Sequence, residues 1–152
     1  MRRVTLALAA IFVGCDDAPA PPPTGDLSGA YWYLARKGGA DVVTGTVQLL
    51  AQEDSSITGT WELQRVPGSD TSIAVGPQLG TGTLQGHRTA SELWLDLNPG
   101  WADNNVFLVL QPAVSNALAG TWDHSTIIGP VTGGPVELRR LDFKRALETG
   151  RT

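Results

Sequence analysis

The sequence predicts an all-β domain: an eight-stranded antiparallel up-and-down barrel, followed by a short C-terminal helix. Three observations predict it. Apolar and polar residues alternate with a period of two over successive short segments, so each segment buries one face as a strand does. Turn residues such as Lys37-Gly38-Gly39, Glu53-Asp54-Ser55 and Asn98-Pro99-Gly100 separate those segments at short intervals, which makes neighbours pair antiparallel in a meander. Glycines also recur inside the segments, as in Thr44-Gly45-Thr46, Thr58-Gly59-Thr60, Thr81-Gly82-Thr83 and Ala119-Gly120-Thr121. Glycine within a strand costs stability unless the backbone must bend or approach another chain closely, and a sheet that coils to close needs such places. Closure removes exposed strand edges, so a barrel is favoured over a sandwich.

Taken in order, strands are expected near 30–36, 43–52, 56–66, 80–88, 91–98, 104–111, 116–123 and 134–140, with an extra one at 71–75 as an option. Ile57, Gly59, Trp61 and Leu63 alternate with Thr58, Thr60, Glu62 and Gln64; Leu93, Leu95 and Leu97 alternate with Glu92, Trp94, Asp96 and Asn98. Keeping Leu93, Leu95, Leu97, Val106, Leu108 and Leu110 inward turns Trp94, Phe107 and Val109 outward, an apolar patch on the wall. Residues 141–148, LDFKRALE, read as a helix too short to stand alone. The patch is covered either by that helix or by a protein partner.

The first 26 residues belong to no fold. Arg2-Arg3 precedes an apolar run of eleven residues, Val4 to Gly14. As a helix it would rise about 16 Å, too short for a hydrocarbon core of about 30 Å, and the pattern is that of an export signal. Phe12-Val13-Gly14-Cys15 ends it and resembles the lipobox of bacterial lipoproteins, with Phe12 where Leu is usual. The resemblance implies cleavage before Cys15, acylation of its thiol, and a place in the cell envelope. The other reading is an ordinary secretory signal with an incidental cysteine. Asp16-Asp17 and the proline-rich APAPPPT then form an extended tether of about 28 Å at ~3.1 Å per residue. Asp directly after such a cysteine resembles an inner-membrane retention signal of enterobacteria; inner or outer membrane stays open. The domains expected are 1–14 signal, 15–26 acylated cysteine and tether, 27–140 barrel, and 141–152 helix and tail.

Composition narrows the function. Without Arg2 and Arg3 the chain holds nine basic and 15 acidic residues, a net charge of −6. Broad nucleic-acid binding needs a basic surface and is excluded. One cysteine allows no internal disulfide. Five of the nine positive charges (Arg139, Arg140, Lys144, Arg145, Arg151) fall in the last fourteen residues, a solvated tail or a contact with anionic lipid.

Glycine followed by aromatics in Gly29-Ala30-Tyr31-Trp32, the meander, and a last strand ending in Arg139-Arg140 resemble the lipocalin and avidin superfamily. The resemblance implies an eight-stranded barrel with room for one small ligand at its mouth. The biotin-site motif of avidins is missing, so no particular ligand is implied.

No catalytic constellation stands out. Asp123-His124-Ser125 has the residue types of a hydrolase triad, yet neighbours on a strand face opposite sides and cannot align as nucleophile, base and orienter. His87 and His124 lack metal-ligand spacing, and Glu92 and Asp96 read as solvated acids. No cofactor and no enzymatic activity are expected. Trp101, in the loop Asn98 to Asn105, is either a plug over the barrel end or a ligand contact; Trp61 and Trp122 would supply apolar walls deeper inside. Two functions follow: a membrane-anchored module binding a small apolar ligand at the mouth through Trp61, Trp101 and Trp122, or a structural lipoprotein with a filled barrel that holds an envelope protein by its outer wall. The many bulky inward residues lean towards filled.

Overall fold

The computed structural model describes residues 26–113 and 116–141. The expected signal, tether and C-terminal helix lie outside these residues, apart from the junctions at Asp26 and Leu141. Eight strands form: β1 Gly29–Lys37, β2 Ala40–Ala51, β3 Ser56–Arg65, β4 Gly80–Arg88, β5 Leu93–Asp96, β6 Asn105–Ala113, β7 Ala117–Thr126 and β8 Gly129–Arg140. Each pairs antiparallel with the next, and β1 also pairs with β8, so the meander closes into a barrel.

The glycines of the repeated motif all face the interior. A Cβ on Gly45 would overlap the Glu62 carbonyl oxygen, on Gly59 that of Gln48, and on Gly120 that of Val109. Adjacent strands coil against each other at these points more closely than a side chain permits, the role expected of them. At Gly82 the space is taken by the Trp61 indole.

The interior is filled. Leu49, Ile57, Leu93, Leu95, Leu108, Leu110, Leu138, Tyr33 and Trp122 are all buried to within 2% of complete. Leu27 closes the end at which the chain enters; Tyr31 donates its hydroxyl to the Leu27 carbonyl at 2.9 Å. Arg140 ties that end shut, donating to the carbonyls of Asp26 at 2.7 Å and Ser28 at 2.6 Å.

Two expectations are corrected. Residues 71–75 form no strand; they belong to a long β3–β4 connection, 66–79, that folds into the opposite mouth. The β7–β8 hairpin also runs further than expected, to a two-residue connection at Ile127-Ile128. Pro130 in this extension and Pro135 within the expected strand cannot donate to a ladder. However, β1 pairs with β8 only from Val136 onward, so both prolines lie where β8 is bonded to β7 alone.

Candidate functional site

The mouth opposite the entry end carries the long connections, 66–79 and 97–104, and the short ones at 38–39 and 127–128. Local chemistry shapes the first. Pro67-Gly68 turns the chain, with Gly68 at φ 80° and Ser69 N–H donating to the Val66 carbonyl at 3.0 Å. The Asp70 carboxylate accepts from Ser72 N–H at 2.8 Å, and Arg65 donates to the carbonyls of Asp70 and Ile73. The chain then dips inward. Val75 and Gln78 are buried, and Gly76, at φ 69°, lies close against the His124 side chain, which leaves no room for a Cβ.

Gln78 is the polar centre of this plug. Its Oε1 accepts from the Tyr33 hydroxyl at 2.5 Å, and its Nε2 donates to the Val75 carbonyl at 2.6 Å. Burial pushes the Tyr33 hydroxyl far above its ordinary range, so it stays protonated and keeps donating. The plug of this barrel is therefore the β3–β4 connection and not Trp101.

A polar network sets the second connection. Asp96 accepts from Asn98 N–H at 2.8 Å and from Asn105 Nδ2 at 3.0 Å, while Asn98 Nδ2 donates to the Pro77 carbonyl at 3.2 Å and so joins the two connections. His124 Nε2 pairs with Asn104 Oδ1 at 2.5 Å; its Nδ1 is buried without a partner among the described residues. Desolvation lowers the His124 pKa, against a smaller opposing pull from Asp103.

Between the two connections runs a groove of about 350 Å³, with Pro77 and Leu79 on one wall, Pro99 and Trp101 on the other, and Trp61 and Leu97 as floor. Thr81 and Thr83 form its outer lip. Trp101 is 54% exposed and Leu79 42%. Trp61 is buried, its Nε1–H held by the Leu97 carbonyl at 2.7 Å and the Thr83 carbonyl at 3.2 Å. A more open trough of about 720 Å³ continues over the outer wall from Leu79 to Trp32. The trough is the larger and more apolar of the two, and the rim groove is lined about equally by polar and apolar surface. The groove is the candidate because it gathers two of the tryptophans expected to meet a ligand, and its volume falls at the lower end of the usual ligand-site scale, ~300–1,000 Å³.

Of the three tryptophans expected to meet a ligand, Trp61 and Trp101 line this groove. Trp122 does not: it is completely buried and donates Nε1–H to the Arg36 carbonyl at 3.1 Å, a strut of the core. The wall residues Pro77 and Leu79 and the plug Gln78 were missed by sequence reasoning. A signal existed, since the inward parity of Leu84, carried back through Gly82 and Gly80, lands on Gln78.

On the outer wall, Trp94 of β5 is paired in register with Val109 of β6, two residues along from Phe107. Trp94 stacks on Phe107 at 5.2 Å between centroids, His87 lies 5.4 Å from Trp94 on the other side, and Trp94, Phe107 and Val109 are each half-buried. The helix expected to cover it lies outside the described residues. His87 belongs to this stack and His124 to the mouth, so they do not meet; among the described residues no group of three or more metal-ligating side chains gathers.

No family model matches the chain. No curated protein matches it in sequence. Among solved structures, the chain is similar to rhizavidin in its biotin complex, with a TM-score of 0.49 and 14% identity over 76% of this chain and 92% of that one.

Proposed function

We propose that this protein is a non-enzymatic envelope lipoprotein, held to a membrane through acylated Cys15, whose barrel is a filled scaffold for a small apolar-ligand site at its rim. The observation that carries the reading is the pairing of exposed Trp101 with exposed Leu79 across a groove floored by Trp61. Apolar surface of this kind, left open in a concave place with a few hydroxyls at its lip, is what a small, largely apolar molecule fills. The interior itself offers no such room, so the ligand sits on the rim and not down the barrel axis.

Titration with a panel of lipophilic probes, read by tryptophan fluorescence, tests the site. A saturable change is expected, with affinity reduced about tenfold or more in Trp101→Ala, since truncating a central aromatic anchor typically costs that much. Absence of any saturable signal removes the reading. Anchoring is tested separately: Cys15→Ser is expected to abolish incorporation of labelled fatty acid and to shift the protein out of the detergent phase. Equal labelling of the two proteins would refute acylation at Cys15.

A second reading has its own observation, the half-exposed His87–Trp94–Phe107 stack on the wall. It fits a filled barrel that holds an envelope protein by its outer surface, and it leads if the rim binds nothing.

A further inference from the structure

The two ends of the barrel differ in character. Among the described residues, Leu79, Trp101, Ile127, Ile128 and Val131 are large apolar side chains exposed at the mouth with the long connections. The entry end exposes Leu50 and the smaller Ala90, Pro112 and Ala113 among Gln52, Glu53, Asp54, Thr89, Ser91 and Arg139. The extreme case is the tip of the β7–β8 hairpin, where Ile127 is 86% and Ile128 94% exposed. Turn positions are ordinarily polar or glycine, and nothing in the fold requires isoleucine there. Both residues have ordinary negative φ, and Gly129, at φ 118°, takes the strained position that closes the turn. The side chains touch almost nothing. The backbone under them, in contrast, is pinned: Ile127 N–H donates to the Asp103 carboxylate at 2.5 Å, and the Thr126 hydroxyl to the Gly129 carbonyl at 3.3 Å. Because β1 pairs with β8 only from Val136, the tip is the end of a two-stranded ribbon bound by β1 on neither face of its last turn.

We propose that this rim is a membrane-contact surface and that the Ile127-Ile128 finger inserts into the hydrocarbon edge of a neutral lipid bilayer. The proposal extends the rim reading above, naming the bilayer as the place from which an apolar ligand would enter the groove, but the finger does not line that groove and the two are separable. Three features favour lipid over a protein pocket. The apolar residues come from separate connections and not from one continuous face, and fluid lipid conforms to such a discontinuous surface where a protein interface needs complementary packing. Trp101 beside aliphatic side chains matches the interfacial preference of tryptophan. The charged groups near the tip are held by local hydrogen bonds, Asp103 from the N–H groups of Asn104 and Ile127 and Lys37 to the Thr132 hydroxyl. Because they are charged they stay at headgroup level and limit the finger to shallow insertion. The tether length agrees with this use. Strands of about ten residues, tilted by about 40°, make a barrel about 25 Å tall, close to the ~28 Å reach of the tether, so an anchored domain can lay its far rim on its own membrane.

The net acidic chain also gives the sign of the lipid preference: neutral phosphatidylcholine vesicles should bind at least as well as vesicles containing phosphatidylglycerol. The test uses the chain begun at Asp16, which has neither signal nor acyl group and keeps the whole barrel, in vesicle co-sedimentation. Binding to phosphatidylcholine is expected, reduced about tenfold or more in Ile127→Asn/Ile128→Asn. That variant should keep its melting temperature and its probe titration at Trp101, because neither side chain is packed. The proposal is overturned if the wild-type chain binds no vesicles, if binding requires anionic lipid, or if the double variant binds equally well. It is also overturned if sedimentation velocity shows a dimer that the double variant loses while vesicles are ignored, which would make the finger a contact between copies. A vesicle result of that kind with an intact probe titration would leave the rim groove standing.

Discussion

Gly59→Val is expected to remove a large share of the barrel's stability, lowering the midpoint of thermal unfolding by more than about 10 °C. Gly59 faces inward on β3 between Leu49 of β2 and Leu84 of β4. A Cβ there would overlap the Gln48 carbonyl oxygen and come within 3.2 Å of Leu84 Cδ1. The first obstacle is backbone, so no rotamer relieves it, and β2 and β3 must separate locally. In an open sheet an edge could drift outward. In a closed barrel the displacement is passed round the ring, because every strand is bonded on both sides. Overpacking against backbone sits at the high end of single-substitution effects, about 3–5 kcal/mol, against a total of ~5–15 kcal/mol for a domain of this size. Gly100→Ala is the control, since a Cβ at Gly100 meets nothing within 4 Å. Far-UV circular dichroism through a thermal ramp and a urea series reads both. If Gly59→Val melts like the wild type, close approach of β2 and β3 is not what glycine provides.

That site also shows why the barrel was legible in the sequence. In Ile57-Thr58-Gly59-Thr60-Trp61 the inward position without a side chain is framed by outward threonines, and the same frame recurs at Gly45 and Gly82, so alternation and closure are written in one pattern. The strands with prolines were harder. Pro130 weakens the strand signal of the first half of β8, and the one-sided pairing of that half with β7 makes it harmless, a tertiary fact. The candidate site was half legible. Trp101 stood out as a tryptophan in a loop, and Trp61 as a bulky inward residue. Trp122 has the same local signature as Trp61, on a strand after a threonine and a glycine, yet it is sealed by the Arg36 carbonyl and by Gly134 from strands β1 and β8. Nothing within its own strand distinguishes the two. Residues 71–75, an optional strand by sequence, instead dip with the rest of 66–79 into the barrel mouth, where the apolar Ile73 and Val75 pack without pairing to a neighbouring strand.

The Tyr33–Gln78 pair should behave as one unit in a double-mutant cycle. Each group is buried, and each leaves the other stranded if removed alone. Tyr33→Phe strips the donor from Gln78 Oε1, and Gln78→Leu strips the acceptor from the Tyr33 hydroxyl along with the donor to the Val75 carbonyl. A buried polar group left unpaired costs about 1–3 kcal/mol, whereas replacing both partners by apolar groups of similar shape is close to neutral. The single variants are therefore expected to lose about 1–3 kcal/mol each, Gln78→Leu the more because Val75 is also affected. The double variant should lose less than the sum, with a coupling of about 1 kcal/mol or more. The pair also couples stability to the rim, since Leu79 follows Gln78 directly and forms one wall of the groove. Freeing the amide releases that wall, so Gln78→Leu should weaken probe binding at Trp101 while Tyr33→Phe, which leaves the Gln78–Val75 bond in place, weakens it less. Strictly additive losses in urea unfolding would mean that the two side chains do not share a bond in solution. Equal probe affinities in the two single variants would mean that Gln78 does not hold the groove wall.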